Sequence, residues 1–352
     1  MKKNLCVLID ILHPAHVHFF KNIIWQLQKE GHTVLITARD KEITIQLLKE
    51  YGFKFKKLSR IKKGLFGLGY EMLIRFIKLL FIGIKYKPDV YVGIAGITTA
   101  PVAWFLRKPS ITITDTEFAR LSNSIAFPFS TCILTPSCYS ENIGRKQQRY
   151  KGYHELAYLH PNYFTPDPSI LKEIGVKPEE KFFVVRFISW EAAHDIGKKC
   201  ILNKVKLATE LEKLGKVFIT SEAPLPKELE KYKIKVQPSR IHHMLYYASA
   251  FIGESPTMTC ESGILGTPAI LISPIFTTNT EELEKEFDLV YNLRNGKDLD
   301  LKAIAKIKEI LTENNYDYKK YKKVWKQKSM KMVHTCTDVT QYVIHSIKKV
   351  NQ

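Results

Sequence analysis

Four short segments collect the side chains that could do chemistry. The first, DILHPAHVHFF, places His13, His16 and His18 close together near the N-terminus. An imidazole that titrates near neutrality can take a proton from an attacking hydroxyl. The second, TITDTEFA, carries Asp115 and Glu117, carboxylates able to orient a hydroxylated ligand or to act as acid and base. The third, RFISWEAAHDIG, follows the apolar run FFVV and sets Arg186, Ser189, His194 and Asp195 at its end. In a purely structural role, Trp190 wedges a domain interface and His194 with Asp195 caps the next helix. The fourth, GESPTMTCESGILGTPAI, runs from a strand end through small residues into a helix starting near Thr257. Backbone N–H groups and the positive end of the helix dipole make such a junction an anion site, to which Ser255 and Thr257 add hydroxyls. Glu261, one turn further, is suited to accept hydrogen bonds from the two hydroxyls of a ribose. The plain alternative makes Ser255 and Thr257 helix caps and Glu261 part of a solvated helix face.

These segments all fall at the ends of apolar runs. NLCVLID, HTVLITA, FKFKKL, PDVYVGIAG, SITITDTE and TCILTPS alternate with helical patterns such as VHFFKNIIWQLQKEG, where Phe20, Ile23, Ile24 and Leu27 share one face before Gly31. Repeated β-α-β units with continuous apolar strands predict parallel sheets covered by helices on both faces. The rhythm breaks at KGYHELAYLHPNYFTPDP, rich in proline and aromatic rings. It then restarts with KFFVVRF, KVFITS, KIKVQ, AFIGE and PAILIS. The expected organisation is a Rossmann-like domain over 1–150, a linker over 151–168, and a second Rossmann-like domain over 169–300. A helical tail over 301–352 follows, its last helix packing back on the first domain. In open parallel sheets, ligands bind beyond the carboxyl ends of the strands. The two domains are therefore expected to face each other across a cleft built from those loops.

Composition limits the classes. The chain of 352 residues is 45% hydrophobic and 25% charged, the profile of a folded protein rather than a disordered one. Its six cysteines lie far apart without zinc-type spacing, so free thiols and no metal are expected. The N-terminus MKKNLCVLID lacks the long apolar stretch and cleavage site of a signal peptide, which predicts a cytoplasmic protein. A formal net charge of +19 attracts polyanions. From Lys54 to Lys87 the one acid, Glu71, stands among ten basic residues that surround MLIRFIKLLFIGI. Arg75 and Lys78 interrupt that run, so it is expected to lie on an anionic membrane surface rather than to cross it, or to be a core helix with a solvated basic edge. The lysine cluster YKKYKKVWKQKSMKM reads as a solvated helical face, and no specific nucleic-acid partner is expected.

The segment GESPTMTCESGILGTPAI resembles the diphosphate-binding segment of enzymes with the GT-B fold, namely the N-acetylglucosaminyltransferases of peptidoglycan lipid intermediates and the UDP-N-acetylglucosamine 2-epimerases. Glu261 and Gly266 match the spacing of the ribose-binding Glu and the Gly of their G-x-P. RFISWEAAHDIG and IDILHPAHVHFFK look closer to the family called domain of unknown function 354, within the same superfamily. The resemblance covers essentially the whole chain. It implies a GT-B architecture whose second domain binds a nucleotide-diphosphate sugar, most simply a UDP-sugar, and whose first domain receives an acceptor. Under it, Arg186, Ser189 and His194 face the phosphates, Asp195 orients the His194 imidazole, and no cofactor beyond the nucleotide sugar is implied. His13, His16 and His18 fall on the acceptor side together with Glu117. PAHVHF looks like a Gly-His loop whose histidine is a general base, which selects His16, with Asp115 as a second candidate.

Three functions compete at this level. A metal-independent glycosyltransferase acting on a lipid-linked or cell-surface glycan is the first expectation. A 2-epimerase-like nucleotide-sugar enzyme is the second, but Ile97 stands where the epimerases carry Asp, and Arg186 with Phe187 where they use His. The third is a non-enzymatic basic protein that binds membrane or nucleic acid. It predicts binding that collapses with salt.

Overall fold

The computed structural model describes residues 4–61, 64–188, 203–312 and 317–351. They form two units, residues 1–163 with 337–352 and residues 164–336.

The first unit begins with β1 (Cys6–Ile11), α1 (Pro14–Lys29), β2 (Thr33–Asp40), α2 (Thr44–Glu50), β3 (Lys56–Arg60), α3 (Gly64–Tyr86) and β4 (Val90–Ile94). It continues through α4 (Thr99–Phe105), β5 (Ser110–Ile113), α5 (Arg120–Ala126), β6 (Cys132–Pro136), β7 (Gln147–Tyr150) and α6 (Leu156–Leu159). The sheet is parallel, in the order β3-β2-β1-β4-β5-β6-β7. Its central strands are apolar on both faces because helices cover both, whereas the edge strands KKLSR and QQRY are polar. Strand order reverses between β1 and β4, which opens a crevice at their carboxyl ends. On one face α3 packs Leu79, Phe76 and Leu80 against Leu8, Leu58 and Tyr91. Gly83 makes the approach possible, since a Cβ there would lie 2.4 Å from the Tyr91 hydroxyl and from Leu106.

The second unit contains α7 (Ser169–Glu173), β8 (Phe182–Phe187), α8 (Lys204–Glu212), β9 (Lys216–Ser221), α9 (Ile241–Tyr247), β10 (Ala250–Gly253) and α10 (Pro256–Ile264). It then runs through β11 (Ala269–Ile272), α11 (Thr278–Lys285), β12 (Val290–Leu293), α12 (Leu299–Thr312) and α13 (Tyr318–Thr335). The sheet is again parallel, in the order β12-β11-β10-β8-β9, with its switch between β8 and β10. The chain then returns to the first unit as α14 (Val339–Lys349), which packs on α1 and α6.

Two expectations need correction. Residues 151–163 are not a linker: Tyr153 and Leu156 to Leu159 are buried, and α6 packs on α1. Their aromatic rings fill core, so their lack of period misled. Within the tail over 301–352, α12 and α13 belong to the second unit and α14 to the first. KIKVQ is no full strand, since a bridge between Ile219 and Lys233 is its one ladder contact. The short edge strands β7 and β12 were not foreseen from the sequence.

Candidate functional site

In the first unit the switch-point crevice is built on a buried charge network. Asp10, second from the end of β1, receives both hydrogen bonds of Arg75 Nη2 at 2.7 Å and those of the Thr37 and Thr98 hydroxyls. Arg75 also reaches Ser59, which donates to Glu71, itself held bidentately by Arg39. Arg75 is 3% exposed, so it points into the unit and not toward a lipid surface. Lys78 likewise donates to the Leu58 carbonyl at 2.7 Å. Four backbone elements are thereby pinned beneath the loop that follows β1.

That loop carries the three histidines, and they have three different situations. His13 caps α1, its Nδ1 accepting from Ala15 N–H at 3.2 Å, with Pro14 at the first helical position. His18 is buried, with Nδ1 3.1 Å from the Tyr51 hydroxyl and its ring against Tyr158. It packs the unit and is not presented to an acceptor. His16 Nδ1 accepts from Leu12 N–H at 3.3 Å. Burial, and then His13, His154 and Lys41, push its pKa well below the ordinary histidine value, against the opposing pull of Asp115. The ring is neutral at pH 7, and because Nδ1 accepts, the proton resides on Nε2. In this arrangement His16 is a donor, which changes the expected role of general base.

Asp115 lies just past β5. Its Oδ2 is 3.2 Å from Nδ1 of His154, and its Oδ1 accepts from the Thr116 hydroxyl at 2.9 Å. Burial would raise its pKa, but the charge and hydrogen bond of His154, with Thr116 and a backbone N–H, bring it down to about 2. So stable a carboxylate is a poor proton acceptor and a good orienter. His154 turns Nδ1 to Asp115, and its Nε2 is buried without a hydrogen-bond partner. The ring is fixed edge-on by Phe19 and stacked on Tyr150, with centroids 5.0 and 6.4 Å away. A carboxylate-backed imidazole with its second nitrogen unengaged is the arrangement of a general base. Sequence reading missed His154 because it lay in the presumed linker. The YHE triplet between aromatic residues was its one signal. Glu117 accepts from the Ser140 N–H at 3.0 Å and holds the neighbouring loop.

In the second unit the switch point lies between β8 and β10. Arg186 donates to Thr220 at 2.8 Å and to Glu222 at 2.7 Å, so its charge is matched within the unit rather than reserved for a diphosphate. Ser255 is the N-cap of α10, accepting from Met258 N–H, while its carbonyl accepts from Thr259. Thr257 is half-buried in the first turn of that helix. Glu261 is buried, with Oε1 2.9 Å from His242 Nε2, so it faces α9 rather than solvent. Gly266 closes the helix at φ +73. Glu254, which sequence reading did not single out, is buried at the end of β10 and accepts from Ile188 N–H at 3.0 Å. Ser189, His194 and Asp195, with Trp190, lie outside the described residues. Among the described residues no cluster of three His, Cys, Asp or Glu side chains could hold a metal ion.

The family model described as "Protein of unknown function (DUF354)" matches residues 5–343. The chain belongs to this family. An uncharacterised protein of Methanocaldococcus jannaschii is 28% identical over 287 residues, which cover 77% of this chain and 82% of the relative. Among solved structures, the UDP-GlcNAc 2-epimerase of Neisseria meningitidis bound to UDP-GlcNAc superposes with a TM-score of 0.68 at 13% identity, covering 98% and 100% of the two chains. A spinosyn rhamnosyltransferase superposes with a TM-score of 0.61 at 12% identity, over 96% and 98%. With its two parallel sheets, this DUF354 chain has the GT-B fold shared by nucleotide-sugar epimerases and glycosyltransferases.

Proposed function

We propose that this protein is a glycosyltransferase that takes its sugar from a nucleotide diphosphate, most simply UDP, and passes it to a hydroxyl of a lipid-linked or cell-surface glycan. The observation that carries the reading is the Asp115–His154 couple at the carboxyl ends of the first sheet, beside a neutral His16. His154 Nε2 takes the acceptor proton, Asp115 stabilises the resulting imidazolium, and His16 Nε2–H donates to a substrate oxygen. The donor belongs to the second unit, where the N-terminus of α10 meets the leaving diphosphate electrostatically. No cofactor beyond the nucleotide sugar enters the reaction, which takes place at the cytoplasmic face of a membrane.

A nucleotide diphosphate that binds the folded state raises the melting temperature with its occupancy. UDP is expected to do so, and Thr257→Val, in the first turn of α10, to remove the shift. Transfer to no acceptor from any of a broad nucleotide-sugar panel, with no shift by any nucleotide diphosphate, would sink the reading. A second reading, 2-epimerisation, draws support from the backbone likeness to the Neisseria enzyme. Ile97 and the tethered Arg186 weigh against it. Release of N-acetylmannosamine or its UDP form from UDP-N-acetylglucosamine decides between the two.

A further inference from the structure

Among the described residues, nothing in its own unit covers the outer face of α3. Phe66, Tyr70, Leu73, Ile77, Phe81 and Ile84 recur every three or four residues, so they form one stripe along the whole helix. All six are exposed, Phe66 to 97% and Phe81 to 67%. Trp104 and Phe105 at the end of the adjoining α4 are exposed too, beside the Leu106 that packs against Gly83. A continuous apolar strip of this length marks an interaction surface.

Charge identifies the occupant. The two acids in and just after this region are turned inward, Glu71 to Arg39 and Asp89 to the backbone of Cys6. Among the described residues, the exposed charges around the stripe are the cations Lys54, Lys56, Lys57 and Arg60 on or beside edge strand β3, with Lys85 and Lys87 on or beside α3. Lys57 is partly answered by Asp40 at 3.2 Å. A second copy of the chain would bring two such basic rims together, which disfavours self-association through this face. An anionic bilayer accepts both features at once, aromatic and aliphatic side chains at the acyl boundary and lysines at the headgroups. No described helix is long and apolar enough to cross a membrane.

We infer that the outer face of α3, with Trp104 and Phe105 of α4, is a docking surface that holds the first unit against an anionic lipid bilayer. The inference deepens the proposed lipid-linked acceptor by giving the surface on which the protein meets it. It needs no substrate for its test, so docking and transfer can fail separately. Full-length protein is floated with vesicles of equimolar phosphatidylglycerol and phosphatidylcholine, and with phosphatidylcholine alone. Co-flotation with the anionic vesicles is expected, weakened by salt. Phe66→Ser combined with Phe81→Ser should reduce it at least about tenfold. Lys85→Glu with Lys87→Glu should weaken it while leaving the melting temperature unchanged, because both side chains are exposed. Failure of the wild type to bind anionic vesicles overturns the inference, as does binding that ignores the Phe substitutions. A dimer in solution that dissociates on the same Phe substitutions also overturns it, and assigns the face to a second copy.

Discussion

At the scale of single residues, surroundings give three neighbouring groups different parts. His16 is kept neutral by burial and neighbouring positive charge, Asp115 is kept ionised by His154, and His154 retains an unengaged nitrogen. Replacing His154 by Gln is therefore expected to lower the transfer rate about 10²- to 10⁴-fold with little change in donor KM. His16→Ala should raise KM as well, since it removes a donor to bound substrate. A loss confined to His16→Ala would return the role of base to that residue. The same groups set the acid stability. The folded pKa of Asp115, about 2, lies below its unfolded value, so its contribution is complete above the unfolded pKa and is lost as pH falls toward 2. His16 is also depressed in the folded state, and its contribution fades as pH falls below the ordinary histidine value of about 6.5. Urea unfolding measured from pH 7.5 to 4, values of about the ordinary working range for histidine, should show stability falling with acid. His16→Asn is expected to flatten the upper part of that slope.

At the scale of elements, the informative comparison is between two cations on α3. Arg75 is bound twice by Asp10 inside the unit, while Lys78 reaches one backbone carbonyl from an exposed position. Arg75→Leu should cost about 3 to 5 kcal/mol, because it strands a buried carboxylate. Lys78→Ala should cost about 1 kcal/mol, the size of a single hydrogen bond. Equal small effects in chemical denaturation would show that Asp10 finds another partner. The pair also explains how a surface helix and a catalytic loop share one anchor. Asp10 sits at the end of the strand that leads to His13 and His16, and Arg75 is its tether to α3. Helix α10 has a similar economy: Gly266 ends it in a conformation open to glycine, with a Cβ there only 3.0 Å from the backbone of Lys326. Gly266→Ala is expected to destabilise the second unit by more than about 1 kcal/mol.

At the scale of the molecule, the chain closes on itself. The C-terminal α14 belongs to the first unit, where Val339, Val343, Ile344 and Ile347 are fully or nearly fully buried against α1 and α6. The Thr340 hydroxyl and Asn22 both bond to the Ala157 carbonyl, joining the three helices. Truncation before Thr337 should speed hydrogen exchange in α1 and α6 much more than in α10, although the missing residues are farthest away in sequence. Uniform exchange in all three would refute that assignment.

The apolar periodicity determined the buried central strands, most helices, the parallel sheets and the positions of the chemical loops, because a buried parallel strand must be apolar on both faces and a covering helix on one; the polar edge strands escaped it. The local spacing also determined that α10 would begin beside Ser255. It could not determine which side chains the fold pairs. His154 meets Asp115 from 39 residues away along the numbering, Arg75 meets Asp10 from 65, and Glu261 meets His242 from 19. These encounters decide which imidazole donates, which carboxylate stays ionised and which arginine leaves the surface. Only the tertiary structure brings them about, since protonation follows the charges and burial around a group, and those are set by neighbours in space rather than in sequence.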